Sequence, residues 1–261
     1  YLALARACRK IWAIGMRDVF QCDERGQRMR LHTQTSGRSL VAPAFKNNLT
    51  RTAIELMLAY ANATNSCHSN SADEPFTTPG EEYVKLAANA QAILLEESGL
   101  FRHMMNPLAG SPGMHAVQDA VMRGILDEFH TLDELGGVLA AIEHRYQRSQ
   151  IQESALQYER QIGSGQRAIV GVNRYRDESE RLPEVEMVRT TRAKKQRQVA
   201  RVKAFKKRNR VAAIRALDSL ARVVESGGNV FVELLDTVEV CSLGQITARL
   251  HDVVGRFRPL V

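Results

Sequence analysis

Two short polar clusters contain the side chains of this sequence that could do chemistry. They consist of His32, Gln34, Ser36 and Gly37, and of His68, Asn70, Asp73 and Glu74. The carboxamides of Gln34 and Asn70 can donate and accept hydrogen bonds, and the Glu74 carboxylate can accept two hydroxyls, as acidic side chains do when they hold a ribose. Gly37 would let the backbone approach a large planar ligand closely. The clusters predict a polar-rimmed pocket; loop residues that merely cap helices are an equally good interpretation.

Each cluster follows a predicted strand, and the strands alternate with helices. We predict strands within 28–37 and 65–69, and helices over about 47–62 and from about 78 to 97. This strand–helix–strand–helix order is typical of a parallel sheet or barrel. Because the functional face of a βα barrel lies at the carboxyl ends of its strands, both clusters should face one site. Two such units cannot close a barrel, so the missing strands must come from residues upstream.

Two local patterns define these helices further. One face of the helix over about 47–62 should carry Ile54, Met57, Leu58 and Ala61. The second should begin with Thr78 as its cap, Pro79 in its first turn and Glu81 completing a capping box. The opening residues already resemble a helix, over about 2–19, and we interpret the sequence as cut from something longer.

The sequence changes in character after Gly99. A loop rich in proline and glycine precedes two predicted helices and a β-prone run, and helices resume from Val188. The segments are the loop 106–113, helices over about 114–135 and 138–162, the run 168–173, and later helices that include 230–240 and about 243–257. We place a domain boundary near residue 175, which gives domains of 1–175 and 176–261.

Composition excludes several classes of protein. Hydrophobic residues make up 44% of the 261 and charged residues 25%, which is ordinary for a soluble globular protein. No apolar stretch approaches the roughly 20 residues that span a bilayer. The four cysteines are scattered without metal-ligand spacing, which indicates a reducing compartment and no metal site. Much of the net charge of +7 lies between Arg189 and Arg215. A solvated or interface helix explains this segment; a nucleic-acid binder using Lys194 to Arg210 is the alternative.

Several runs resemble one enzyme family, the adenosylcobalamin-dependent acyl-CoA mutases. H-T-Q-T-S-G-R-S-L, from His32 to Leu40, resembles the seventh-strand motif of methylmalonyl-CoA and isobutyryl-CoA mutases. C-H-S-N-S-A-D-E-P-F-T-T-P, from Cys67 to Pro79, resembles their eighth strand and its loop. Similarity continues through 96–99, 136–153, 169–173 and 229–247, the last resembling the tail of the fused isobutyryl-CoA mutases. The fold implied is the last two βα units of a (β/α)8 barrel followed by a mainly helical region.

The resemblance also implies roles for particular residues. Positions lining the adenosylcobalamin cofactor are matched by Gln34, Gly37, Asn70, Glu74 and Thr77, with Asn70 and Glu74 holding the adenosyl ribose. Arg25 and Arg30 match basic positions that contact coenzyme A, and arginine suits phosphate. Glu143 matches a position that touches the nucleotide of a fused GTPase domain. Ordinary surface charge is the alternative for these last three residues.

The implied activity is a radical 1,2 rearrangement of an acyl-CoA by a cytoplasmic isomerase. The expected partners are the acyl-CoA substrate, a cobalamin-binding domain or subunit, a G-protein chaperone domain and a second copy of the chain, with neither nucleic acid nor membrane. The sequence contains no D-x-H-x-x-G for the axial histidine and no G-x-x-x-x-G-K-[ST]. The family's upstream acyl-binding His and Tyr are also missing, so we expect no catalytic residue here and no activity from this segment alone. A noncatalytic partner subunit remains an alternative.

Overall fold

The computed structural model describes residues 1–103, 106–177, 179 and 189–256. The chain divides into two compact units, residues 1–188 and 189–261. The boundary that we placed near residue 175 stays a prediction. Two predicted helix ends, Val188 and Phe257, lie outside the described residues. The two units are described separately below.

The first unit contains a small parallel sheet flanked by helices. After α1 (Leu2–Asp18), β1 (His32–Gln34) leads through a 3₁₀ turn (Gly37–Ser39) into α2 (Asn47–Ala61), and β2 (Ser66–His68) follows. The strands pair in parallel with His32 opposite Ser66 and Gln34 opposite His68. The predicted order and the parallel pairing are therefore confirmed. The carboxyl ends of both strands lie at the same edge of the sheet.

The buried face of α2 is not the apolar face noted in the sequence. Its buried residues are Asn48, Thr52, Leu56 and Ala59. Ile54 is 54% exposed and Met57 43% exposed, so the apolar face that they share is not the buried one. The apolar periodicity was misleading because two polar residues occupy the buried stripe, where their hydrogen bonds compensate for the loss of water.

The helix after β2 begins later than predicted. α3 (Glu81–Ala92) has Gly80 as its N-cap and no side-chain cap, and it continues as one π-helical turn (Ile93–Glu97). The predicted capping box of Thr78 and Glu81 is therefore wrong. A hydrogen bond from the Gly80 N–H to the Asp73 carboxylate, at 2.8 Å, holds the chain just before the helix instead.

The remaining helices of the first unit are α4 (Pro112–Glu134), α5 (Gly137–Glu143) and α6 (Tyr146–Gly163). α4 packs against α1, and Ser111 caps its amino end, because its hydroxyl accepts from the Met114 N–H. The single helix predicted over 138–162 is two helices, because Arg145 adopts a left-handed backbone with φ of 60°. The β-prone run 168–173 forms a turn, in which Val170 makes an isolated bridge with Arg174.

The second unit is helical: α7 (Arg192–Arg208), α8 (Arg210–Glu225), α9 (Val230–Val240) and α10 (Leu243–Val254). α8, α9 and α10 pack around a buried cluster of Ala213, Leu220, Cys241 and Ile246. Ser242 and Gln245 form a capping box that starts α10. α7 carries four arginines and five lysines among its 17 residues. No helix in the described part of the chain is long and apolar enough to span a bilayer.

Candidate functional site

The two polar clusters meet where the strands end. The Gln34 Nε2 donates to the Asn70 Oδ1 at 3.0 Å. Thr35, the residue after β1, makes two further bonds: its hydroxyl accepts the Asn70 N–H, and its carbonyl accepts from the Asn70 Nδ2, both at 2.8 Å. Asn70 is only 2% exposed. These three hydrogen bonds, together with one from the Thr35 N–H to the His68 carbonyl at 3.0 Å, join the two strand termini. Both termini carry candidate residues.

The loop after β1 is held in a defined shape by its own polar groups. The Ser36 hydroxyl accepts the Arg38 N–H at 3.2 Å, and the Ser36 N–H donates to the Glu55 carboxylate of α2 at 2.6 Å. A Cβ added at Gly37 would have only the Asn70 Nδ2 within 4 Å, at 3.7 Å. The backbone at Gly37 therefore faces open space beside the Asn70 carboxamide, which leaves room for a ligand to approach.

The loop after β2 separates its two acidic residues by role. Asp73 is buried, accepts from the Ser71 hydroxyl at 2.6 Å and also holds the Gly80 N–H. Asp73 therefore organises the loop. Glu74 is exposed one residue later, and the Thr77 N–H bonds back to the Asp73 carbonyl. The Glu74 carboxylate is thus the exposed acidic group of this loop, whereas that of Asp73 is buried.

A cavity of about 790 Å³ runs along β1 and includes Gln34 in its lining. α1 and α6 contribute other walls, through residues such as Leu4 and Tyr158. The guanidinium carbons of Arg38 and Arg167 lie 3.6 and 4.8 Å from the centre of the Tyr158 ring. These cation–π contacts tie the loop after β1 to the segment that follows α6. Asn70, Gly37, Glu74 and Thr77 are not among the residues lining this cavity.

The other predicted contacts lie away from the strand termini. Arg25 and Arg30 are exposed in the segment that precedes β1, whereas Gln34 is the last residue of that strand. Glu143 is the exposed last residue of α5. Among the described residues no group of three His, Cys, Asp or Glu side chains could hold a metal ion. The roles of Arg25, Arg30 and Glu143 stay predictions.

Burial shifts the pKa of groups near the sheet. The pKa of the Cys67 thiol in β2 is raised, mainly because burial disfavours the thiolate. Burial of Arg51 in α2 lowers the pKa of its guanidinium. Both shifts have burial as their main cause and so reflect packing around the sheet.

Sequence reasoning missed the buried polar residues that assemble the site. Thr35, Asn48 and Thr52 are all buried, and each bonds to the backbone of a loop that carries candidate residues. One signal was available for α2: Asn48 and Thr52 precede Leu56 at intervals of four, which puts two polar side chains on a helix stripe that is otherwise apolar. Thr35 gave no such signal.

Comparison with known proteins decides the family. The family model described as methylmalonyl-CoA mutase matches residues 2–256. The chain belongs to the methylmalonyl-CoA mutase family. It is 41% identical over 262 residues to the fused isobutyryl-CoA mutase of Geobacillus kaustophilus and 42% over 260 residues to that of Paraburkholderia xenovorans. The mitochondrial methylmalonyl-CoA mutase of Homo sapiens is 34% identical over 261 residues. The resemblance stated from the motifs is thereby confirmed.

The match covers nearly all of this chain but a small part of each relative. The matches to the two bacterial enzymes cover 99% of this chain, but only 24% of the Geobacillus protein and 20% of the Paraburkholderia protein. The match to the human enzyme covers 98% of this chain and 34% of that enzyme. The chain thus spans about a quarter of the length of the fused mutases it matches. The family to which it belongs is a family of isomerases.

Proposed function

We propose that this chain forms the adenosyl-side wall of the active site in an adenosylcobalamin-dependent acyl-CoA mutase. The observation that carries the proposal is the group of hydrogen bonds joining Gln34, Thr35 and Asn70 at the carboxyl ends of two parallel strands. The reaction is a radical 1,2 rearrangement of the acyl carbon skeleton, of the isobutyryl-CoA to n-butyryl-CoA or methylmalonyl-CoA to succinyl-CoA type.

The side chains present fit the adenosyl group of that cofactor. Glu74 offers an exposed carboxylate, the acceptor that suits a ribose diol. The Gln34 Nε2 donates to Asn70, so the side-chain carbonyl oxygen of Gln34 is available to a ligand. The Asn70 Nδ2 donates one of its two protons to the Thr35 carbonyl, which leaves the second proton for a ligand. The open space at Gly37 admits a planar base. Thr77 completes this donor and acceptor set.

The open edge of the sheet supports the barrel that the family implies. Within the described residues β1 pairs only with β2, and the cavity runs beside β1 from Met29 to Ser36. A strand edge with unpaired backbone groups is satisfied by a further strand. We propose that strands from the rest of the protein complete a (β/α)8 barrel around these two units.

Arg25 and Arg30 have the placement that a coenzyme A site requires. They precede β1, so they lie at the mouth of the proposed barrel opposite to Gln34. A coenzyme A threaded along the barrel axis would leave its phosphates at that mouth, where arginines can bind them in a bidentate manner. Substrate and cofactor would then approach the sheet from its two ends.

Adenosylcobalamin, when it is bound, would supply the radical chemistry, through homolysis of its cobalt–carbon bond. The residues of this chain orient the adenosyl ribose and exclude water from the space between the strand termini. No residue of the chain has a catalytic role in this proposal. The segment alone is therefore inactive.

The proposal includes partners and a location. A cobalamin-binding domain or subunit covers the carboxyl ends of the strands, a G-protein chaperone domain contacts the region of Glu143, and two copies of the protein form a homodimer. The enzyme is cytoplasmic. The relatives' names support the fused arrangement, because both bacterial proteins are fused isobutyryl-CoA mutases.

The experiment is Glu74→Ala in the complete protein, with Glu159→Ala, an exposed glutamate on α6, as the control. We expect kcat to fall about 100-fold, as positioning losses do, while the Kd for coenzyme A changes little. The control should match wild type in both measurements. Equal losses in kcat and coenzyme A affinity, or no loss in either, would contradict the assignment of Glu74.

A further inference from the structure

A single buried carboxamide connects the two loops of the proposed adenosyl site. Asn48, in the first turn of α2, is 0% exposed. Its Nδ2 donates to the carbonyls of Val41, at 2.9 Å, and Ala72, at 3.0 Å. Its Oδ1 accepts the Val41 N–H at 3.2 Å and the Arg51 Nη1 at 2.7 Å. Both amide protons and both oxygen lone pairs are therefore used.

The partners of Asn48 lie where they can set the shape of both loops. Val41 follows the 3₁₀ turn that starts at Gly37, and Ala72 lies between Asn70 and Glu74. The bonds at the strand termini join the loops at their beginnings. Asn48 joins them again farther out, so that each loop is fixed at two points relative to the other.

Arg51 extends this connection to a third segment. Its Nη2 donates to the Val170 carbonyl at 2.7 Å, while its Nη1 supports Asn48. Next to Val170, a Cβ at Gly171 would lie 2.7 Å from the Cβ of Ala44, so the turn approaches the loop after β1 very closely. The turn after α6 thus supports the same loop from the other side.

Core packing alone does not account for an asparagine at this position. The same buried face of α2 carries Leu56 and Ala59, and an apolar residue at 48 would avoid the cost of desolvating a carboxamide. What an apolar residue cannot supply is a simultaneous bond to two separate loops. The cost is offset only because every polar atom of Asn48 is satisfied.

We propose that Asn48 is a positioning residue that sets the distance between the Gln34–Gly37 edge and the Asn70–Glu74 edge of the nucleoside site. This inference rests on the proposed function. It assigns no contact between Asn48 and any ligand. Asn48 acts through the backbone of Val41 and Ala72, and so controls the adenosyl group specifically while leaving the rest of the cofactor site unaffected.

The test compares two cobalamins that differ at the adenosyl group, using the complete protein. Adenosylcobalamin and methylcobalamin both carry an alkyl ligand on cobalt, but only in the first is that ligand a nucleoside. The variant Asn48→Asp keeps the shape of the side chain and the acceptor for the Val41 N–H. It removes both donated hydrogen bonds, because a carboxylate has no proton to donate. We expect its Kd for adenosylcobalamin to rise about tenfold, as losing an orienting partner commonly does. The Kd of the variant for methylcobalamin should stay within about twofold of the wild-type value, a much smaller change than the one expected for adenosylcobalamin.

The matched control is a second buried asparagine, Asn62, which is the C-cap of α2 at its other end. Its Nδ2 donates to the Leu58 carbonyl of the same helix at 3.1 Å. Asn62→Ala should destabilise the protein without changing the ratio of the two cobalamin Kd values. Amide exchange should be faster in 36–46 and 70–78 for Asn48→Asp and in neither segment for the control.

The outcomes separate this inference from the proposed function. If wild type shows no preference for adenosylcobalamin over methylcobalamin, the proposed nucleoside site is wrong. If wild type shows the preference and Asn48→Asp retains the same ratio, only the role of Asn48 is wrong. Should Asn48→Asp fail to fold, Arg51→Met takes its place, since it removes one support of the Asn48 carboxamide. A threefold or larger loss of the ratio supports the inference, and an unchanged ratio overturns it.

Discussion

The two units of this protein bury different kinds of side chain. Among the described residues, the first unit buries seven polar ones: Thr35, Asn48, Thr52, Asn62, Asn70, Ser71 and Asp73. The second buries one, Thr237, and packs its helices around Leu220, Ile246 and small apolar residues. In the second unit helices pack on helices, whereas in the first a two-stranded sheet must hold two loops in register.

The difference shows what each set of buried groups does. Apolar contacts are non-directional, so they hold helices together without fixing the position of a particular loop atom. Hydrogen bonds are directional and specify where a backbone carbonyl or amide must lie. A site that binds a ligand through loop residues needs the second kind of contact. The buried polar network of the first unit thus supports the proposal that its loops form a binding site.

The largest effect should come from the apolar core. Leu220 is fully buried in the second unit, and Leu220→Ala should cost about 2–5 kcal/mol through lost burial and a residual cavity. Amide exchange of peptides from 210–254 in the complete protein measures this loss. Leu243→Ala, at a position 78% exposed, should leave the same peptides nearly unchanged. Equal effects of the two substitutions would contradict the helical core as described.

A close backbone contact in the first unit should give the next effect. Gly171 and Gly165 have similar φ angles, 80° and 77°, but an added Cβ meets Ala44 at 2.7 Å only at Gly171. Gly171→Ala should therefore cost about 1–3 kcal/mol more than Gly165→Ala, through overpacking. Exchange of peptides covering 36–46 reports the loss. Ala44→Gly should restore most of it, and absence of that rescue would disprove the contact.

A matched pair of threonines tests the comparison directly. Thr35→Val leaves the buried Asn70 N–H without its acceptor, at a cost of about 1–3 kcal/mol. Thr237→Val removes only a hydroxyl that donates to the Glu233 carbonyl within α9, so its cost should be smaller, about 0.5–1 kcal/mol. Local amide exchange in each unit measures both. A larger effect at Thr237 would reverse the distinction that we draw between the units.

The smallest effect concerns pH and the thiol of Cys241 in the second core. Burial raises its pKa above the ordinary value, so folding favours the neutral thiol. The resulting stability is complete below the unfolded pKa of about 8.5 and is lost as the pH rises through the higher folded value. The difference in exchange protection between wild type and Cys241→Ala should therefore shrink above that pH. A difference that grows with pH would contradict the sign of the shift.

Much of the candidate site was predictable because its residues follow strands in a recognisable order. The motifs around Gln34 and Asn70 lie after two β-prone runs, and parallel strands place their carboxyl ends together. The roles of Asn48 and Thr35 could not be predicted, because each depends on bonds between residues 7 to 35 positions apart. The start of α3 was misplaced for a similar reason: a bond from the Gly80 N–H to Asp73, seven residues earlier, holds the chain before the helix in place of the predicted side-chain cap.

The sequence by itself determined the family, the alternation of strands and helices, and the identity of the polar clusters, because these depend on local order and residue type. Only the tertiary structure decided which face of α2 is buried, that Asp73 is internal while Glu74 is exposed, and that Asn48 joins both loops. Burial and hydrogen-bond partners arise from the meeting of distant segments, and a periodic pattern in one segment contains no information about its neighbours.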